Sequence, residues 1–188
     1  ASSLVTEWDA VNHPVGLEDP RRTVDQVIGP DFYASVFKAA RARTGLPLFI
    51  NEDQVFRPGR QQDEFYECIQ DLIERGARPD GIGNQAHFHS SFLPGGEEML
   101  RVSDRFAALV PHLELTEFDV NTNGDEQLQA DWLRDTLIMA YSHPAYSAVM
   151  LWVFWEGAGW KPETALWRKD WSEKPNAAVW RDLVGKRW

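Results

Sequence analysis

A single cysteine, Cys68, in 188 residues excludes an intramolecular disulfide framework and leaves the redox compartment open. Cys68 falls on the apolar stripe of an amphipathic segment, where a small buried hydrophobe is expected. No run of about 18 apolar residues occurs, so no segment reads as a membrane-spanning helix. Positive charge is scarce. Lys and Arg number 19 against 29 Asp and Glu, for a net charge of −10. That balance argues against nucleic acid and against an anionic membrane surface as partners, and a neutral partner fits better. Neither G-x-G-x-x-G nor G-x-x-x-x-G-K-[ST] occurs, so the Gly-rich loops that cradle nucleotide phosphates are missing. Hairpin signals, low-complexity tracts and an interdomain linker are absent too. The opening ASSLVTEWDAVN lacks the basic start and apolar run of a signal peptide.

What the chain has in excess is tryptophan. There are nine, and Trp152, Trp155, Trp160, Trp167, Trp171, Trp180 and Trp188 crowd the last 37 residues. Most tryptophans are packing residues. A cluster this dense, mixed with polar loop residues, also suits stacking on flat apolar faces such as sugar rings.

The chain is long enough for one domain with a sizeable core. Short apolar runs alternate with longer amphipathic ones. Strands are expected at Leu4–Val11, Pro47–Asn51, Gly81–Ala86, Leu113–Val120 and Ala148–Phe154. Helices are expected at Asp31–Thr44, Gln62–Arg75, Glu97–Leu109, Asp125–Tyr141 and Pro175–Val184. Leu128, Trp132, Leu137 and Ile138 carry the spacing for burial in the fourth helix. Five β-α units of this kind imply an α/β fold with a parallel sheet and right-handed crossovers. The strands read as nearly continuous apolar runs, as expected when both faces are covered.

Polar and aromatic residues collect at the C-terminal end of each strand: Asn12-His13, Asn51-Glu52-Asp53, Gln85-Ala86-His87, Glu117 with Asp119, and Trp152, Trp155 and Glu156. In a (β/α)8 TIM-type barrel that end carries the active site. An open doubly wound sheet also binds there, but the missing phosphate loop favours the barrel. Glu117, in LELTEFDV, places a carboxylate among apolar residues near a strand end. Thr116 and Asp119 flank it, and Gln85 and His87 end the preceding strand. Such a set can orient an ionised carboxylate for attack on a sugar carbon, and retaining glycoside hydrolysis then needs a second carboxyl group about 5–5.5 Å away.

The set WDAVNH, GIGNQAHF, LELTEFDV, VMLWVFW and ALWRKDWSEKPNAAVW resembles glycoside hydrolase family 10, the endo-β-1,4-xylanase family, over essentially the whole chain. The resemblance implies that residues 1–188 are a single partial barrel, the C-terminal part of the catalytic domain, with the N-terminal strands of the same polypeptide as partner. It implies Glu117 as the nucleophile, no cofactor and no metal, and xylan or a xylo-oligosaccharide as the β-1,4-linked plant polysaccharide bound. Asn12, Gln85 and His87 then match polar substrate-site residues, with His87 bonding the nucleophile, and Trp152 and Trp160 match the walls of the sugar subsites. His13 stands where the family has its acid/base glutamate. Histidine can in principle deliver a proton near neutral pH, and Glu7, Glu18 and Glu52 are candidate substitute acids, Glu52 the best placed. The alternative is a degenerate, non-catalytic glycan-binding protein on the same fold. Secretion is expected from the resemblance. A metal-hydrolase site built on His87 and His89 with His13, Glu52, Glu117 and Asp119 is a weaker alternative.

Overall fold

The computed structural model describes residues 4–15 and 24–188. Six strands, β1 (Trp8–Asn12), β2 (Leu48–Glu52), β3 (Gly81–Asn84), β4 (His87–His89), β5 (His112–Asn121) and β6 (Tyr146–Leu151), are all paired in parallel. The sheet runs β1-β2-β3-β5, with β4 and β6 also paired to β5. The helices are α1 (Val24–Ile28), α2 (Phe32–Arg41), α3 (Arg60–Glu74), α4 (Gly96–Ala107), α5 (Glu126–Ser142) and α6 (Pro175–Asp182). The five expected β-α units are present. β4, a short strand split from β3, is the addition. The last strand lies two residues earlier than expected and ends at Leu151, so Trp152 to Phe154 belong to the following loop.

Strand alternation separates the two faces of the sheet. Ile50, Ile82 and Leu113 form one cross-strand row and are buried. This face meets the helices. In α3, Phe65, Ile69 and Leu72 recur at helical spacing and are almost fully buried. Phe65 packs on Phe106 of α4, with ring centroids 5.6 Å apart. Each such aromatic contributes roughly 1.5–3 kcal/mol by leaving water. In α5, Asp125 caps the first turn by accepting from Leu128 N at 2.9 Å, while Trp132 and Leu137 go inward. Leu128 and Ile138 do not: they are 36% and 47% exposed, so the apolar stripe of α5 is narrower than its sequence suggests. Cys68 is partly exposed beside the core, and burial pushes its thiol pKa up to about 12, which leaves it unreactive.

The opposite face carries Phe49, Asn51, Gly81, Gly83, Glu114 and Thr116. Its glycines have a steric cause. A Cβ at Gly81 would lie 2.1 Å from the Phe49 ring, and one at Gly83 would lie 2.4 Å from Asn51 Oδ1 and 2.8 Å from Thr116 Cγ2. The small residues of β3 let side chains of its two neighbours meet across it. Among the described residues β1 pairs only with β2, and β6 only with β5.

Candidate active site

Three strand ends share a backbone feature. The residues just past β1, β2 and β3 include His13, Gln54 and Ala86, with φ of 54°, 55° and 59°. Left-handed backbone at non-glycine positions is costly and persists where surrounding bonds enforce it. Here His13 N donates to Asn51 O, and Gln85 N to Glu52 O, both at 3.0 Å. The chain is therefore tied sideways at the level where His13 and Gln85 project.

Glu117 owes its position to an irregular ladder. Leu115 pairs with Val149 and Phe118 with Leu151, so β5 spends three steps where β6 spends two. Such a bulge re-aims side chains. Leu115 and Phe118 stay in the core, while Thr116, Glu117 and Asp119 all reach polar partners of the other face. Glu117 Oε1 accepts from Asn51 Nδ2 at 3.2 Å, and its Oε2 lies 3.4 Å from His87 Nε2. The side chain is 15% exposed, so its carboxylate is fixed yet reachable. His87 Nδ1 donates to Asp119 Oδ1 at 2.9 Å. Burial opposes a charge on His87, but the adjacent Asp119 carboxylate outweighs it and raises the ring's pKa. Trp160 Nε1 donates to the other Asp119 oxygen at 3.3 Å. Trp160 and Trp152 both meet the His87 ring edge-on, at centroid distances of 5.4 and 6.0 Å, and both remain more than half exposed. Two partly exposed indoles thus flank the His87 ring, with Lys161 Nζ over the Trp160 ring at 3.8 Å.

His13 completes the group. Its Nδ1 lies 2.9 Å from Glu52 Oε1 and its Nε2 lies 2.9 Å from Gln85 Nε2. Gln85 Nε2 also donates to Asn12 Oδ1 at 3.0 Å, and Asn12 Oδ1 accepts from Asn51 Nδ2 at 3.2 Å. The hydrogen bond to Glu52 raises the pKa of His13, against the opposing effect of burial.

Every site residue expected from the sequence (Asn12, His13, Gln85, His87, Glu117, Trp152 and Trp160) is thus in one connected group. Glu52 as a substitute acid is overturned. It is fully buried, shares the helix-facing side with Ile50, and among the described residues its partners are His13 Nδ1, Val15 N, Asp53 N and Gln61 Nε2. A carboxyl group so used is committed to hydrogen bonds inside the fold and does not face the cleft. Glu18 lies outside the described residues. Glu7 interacts with Glu114, whose pKa burial raises to about 7. His89 is exposed and bonds to Ser91 at 3.0 Å, so it does not converge with His87. Among the described residues no group of three or more His, Cys, Asp or Glu side chains is placed to hold a metal ion. The sequence assigns no individual role to Asn51 or Gly83. Asn51 was visible as a polar end to an apolar strand. Gly83 becomes meaningful only once the register puts it between Asn51 and Thr116.

The family model for glycosyl hydrolase family 10 matches residues 2–182. The chain is 33% identical over 133 residues to endo-1,4-beta-xylanase 1 of Arabidopsis thaliana, covering 69% of this chain and 14% of that protein. It is 32% identical over 146 residues to endo-1,4-beta-xylanase A of Thermotoga maritima, covering 74% and 13%. Among solved structures, native xylanase 10B from Thermotoga maritima superposes with a TM-score of 0.87 at 24% identity, covering 98% of this chain and 62% of that one. Xylanase 10B from Thermotoga petrophila RKU-1, in complex with xylobiose, gives 0.86 at 24% identity, covering 97% and 61%. The fold is thus part of a (β/α)8 barrel, and the chain spans under two thirds of the length of these relatives.

Proposed function

The chain belongs to glycosyl hydrolase family 10, and on that footing we propose that it carries the nucleophile side of a retaining site for β-1,4-linked xylan or xylo-oligosaccharides. The strands that close the barrel then come from the same polypeptide. Glu117 attacks the anomeric carbon, the bond to the leaving oxygen breaks with that oxygen taking a proton from solvent water, and a glycosyl ester forms on the carboxylate. Water then releases the sugar with its original configuration. Asn51 and His87 hold the two oxygens of Glu117, Asp119 fixes the His87 ring, and Trp152 and Trp160 offer faces to the sugar rings. One observation carries this reading: a fixed, partly exposed Glu117 carboxylate between an amide donor and an imidazole.

A second reading, a glycan holder that does not cut, is favoured by His13. Both ring nitrogens are engaged, Nδ1 by Glu52 and Nε2 by Gln85, which leaves no N–H facing a sugar oxygen. The two readings separate with a 2-deoxy-2-fluoro xylobioside bearing a dinitrophenolate leaving group, which departs without a proton. Mass spectrometry is expected to find one glycosyl adduct, on Glu117, and none in Glu117→Gln. A protein that binds xylobiose yet takes no label is the glycan holder. A label on another residue overturns the assignment of Glu117.

A further inference from the structure

We propose that the carboxamides of Asn51, Asn12 and Gln85 form a relay that ties the proton on His13 Nε2 to the charge on Glu117. While Glu117 is a carboxylate, His13 is held as a neutral hydrogen-bond acceptor.

An amide presents donors at its nitrogen and an acceptor at its oxygen, so each contact in a chain of amides dictates the next. Glu117 as a carboxylate can only accept. The Asn51 group facing it must be the NH2, at 3.2 Å. The Asn51 oxygen then takes the Thr116 hydroxyl proton, at 2.8 Å. The second Asn51 N–H donates to Asn12 Oδ1, at 3.2 Å. With its oxygen so placed, Asn12 accepts from Gln85 Nε2 as well, at 3.0 Å. The remaining Gln85 N–H points at His13 Nε2, at 2.9 Å. That nitrogen must offer a lone pair, so the ring's one proton sits on Nδ1 and donates to Glu52.

A complementary set exists with every amide reversed. His13 Nε2–H then donates to the Gln85 oxygen, Asn12 NH2 to the oxygens of Gln85 and Asn51, and Asn51 NH2 to Thr116 Oγ, which accepts as readily as it donates. In that set Glu117 faces the Asn51 oxygen and must itself carry a proton. Mixed arrangements leave two oxygens or two N–H groups facing each other, and a buried mispaired polar group is penalised. Gln85 and Asn51 are buried and Asn12 between them is exposed, so the penalty falls on the two outer amides.

The groups that face His13 make this testable. Glu52 and Asp53 at the end of β2 and Glu117 on β5 are all acidic, and all favour a charged ring. Direct electrostatics and the relay therefore disagree in sign about Glu117: removing its charge lowers the affinity of His13 for a proton through space, but raises it through the relay. The consequence for catalysis rests on Glu117 being the nucleophile; the coupling itself does not. With Glu117 charged, His13 has no Nε2 proton to give a leaving oxygen. With His13 charged, the relay disfavours a charged Glu117.

The test is a pH titration of the His13 ring by two-bond proton–nitrogen NMR on the full chain, with His13→Gln for assignment. Expected in the wild type, on the alkaline side of the raised His13 transition, is a neutral ring protonated at Nδ1. Glu117→Ala is expected to raise the pKa of His13 by about one pH unit, the equivalent of one hydrogen bond. In the Gln85→Ala background, where the relay is cut, the same substitution is expected to lower it. A fall in both backgrounds leaves only direct charge and overturns the relay. Should Glu117→Ala not fold, Asn12→Ala breaks the relay at its middle with every charge retained; a rise in the His13 pKa supports the coupling and no change refutes it. Labelling by the fluorinated xylobioside, read separately, reports on Glu117 as nucleophile.

Discussion

Replacing His13 with glutamate puts a carboxyl group where the chain has a ring with both nitrogens engaged. The introduced carboxyl group would take the place of a ring whose Nδ1 is 2.9 Å from Glu52 Oε1. Two carboxyl groups at such a distance do not both ionise. Val15 N, Asp53 N and Gln61 still donate to Glu52, so the proton is expected on the introduced group. At about 4 Å, the repulsion between two unit charges is roughly 1 kcal/mol in a water-like medium and about 4 kcal/mol at an effective dielectric of 20. That is about one to three pH units. The site is neither open nor sealed, since His13 is 39% exposed and Glu52 fully buried, so the middle of that range applies. A glutamate starting near 4.3 is expected to hold its proton until about pH 6.

The relay also suits a carboxyl group better than an imidazole. Its carbonyl oxygen can accept the Gln85 N–H while the hydroxyl stays free. General acid catalysis is worth about 10²–10⁴-fold. His13→Glu is therefore expected to raise kcat/KM on xylo-oligosaccharides within that range, with a new loss of rate above about pH 6. On a dinitrophenyl xylobioside, whose leaving group needs no proton, little change is expected. Equal gains on both substrates would mean that the substitution acts on binding. No gain on either, with xylobiose still bound, would refute the picture of a site lacking only its acid.

Glu114→Gln tests a further buried carboxylate. The folded protein holds the Glu114 proton more tightly than the unfolded chain, with a pKa of about 7 against 4.5, so stability falls as pH rises from about 4.5 to 7. The substitution is expected to flatten this slope and to stabilise the protein at pH 8 by up to roughly 3 kcal/mol in urea melts, and an unchanged slope would sink the assignment. Gly83→Ala forces a methyl group to within 2.4 Å of Asn51 Oδ1. It is expected to cost about 1–3 kcal/mol of stability and to slow labelling of Glu117; wild-type values for both would mean that Asn51 does not need its present position.

The sequence displayed the architecture because helices and buried strands are periodic. Phe65, Ile69 and Leu72 mark the inner face of α3 at the spacing the structure uses, and LFIN and LELTEFDV are strands in place. It also displayed which residues gather at the strand ends, since a parallel sheet brings those ends together. What periodicity cannot display is a departure from it. By simple alternation Glu117 would face the helices with Leu115 and Phe118's core neighbours crowding it; the extra residue in β5 turns it to the other face, and an extra residue in a ladder depends on the partner strand. The same holds for Glu52. Read as a polar residue after an apolar run, it looked available as an acid, yet alternation sends it to the helix side beside Ile50, where burial and backbone N–H groups commit it. His13 is the reverse case. Its residue type suggested a proton donor, but a histidine's role is set by what its two nitrogens meet. Only the positions of Glu52 and Gln85, 39 and 72 residues further along the chain, decide that both ring nitrogens already have protein partners.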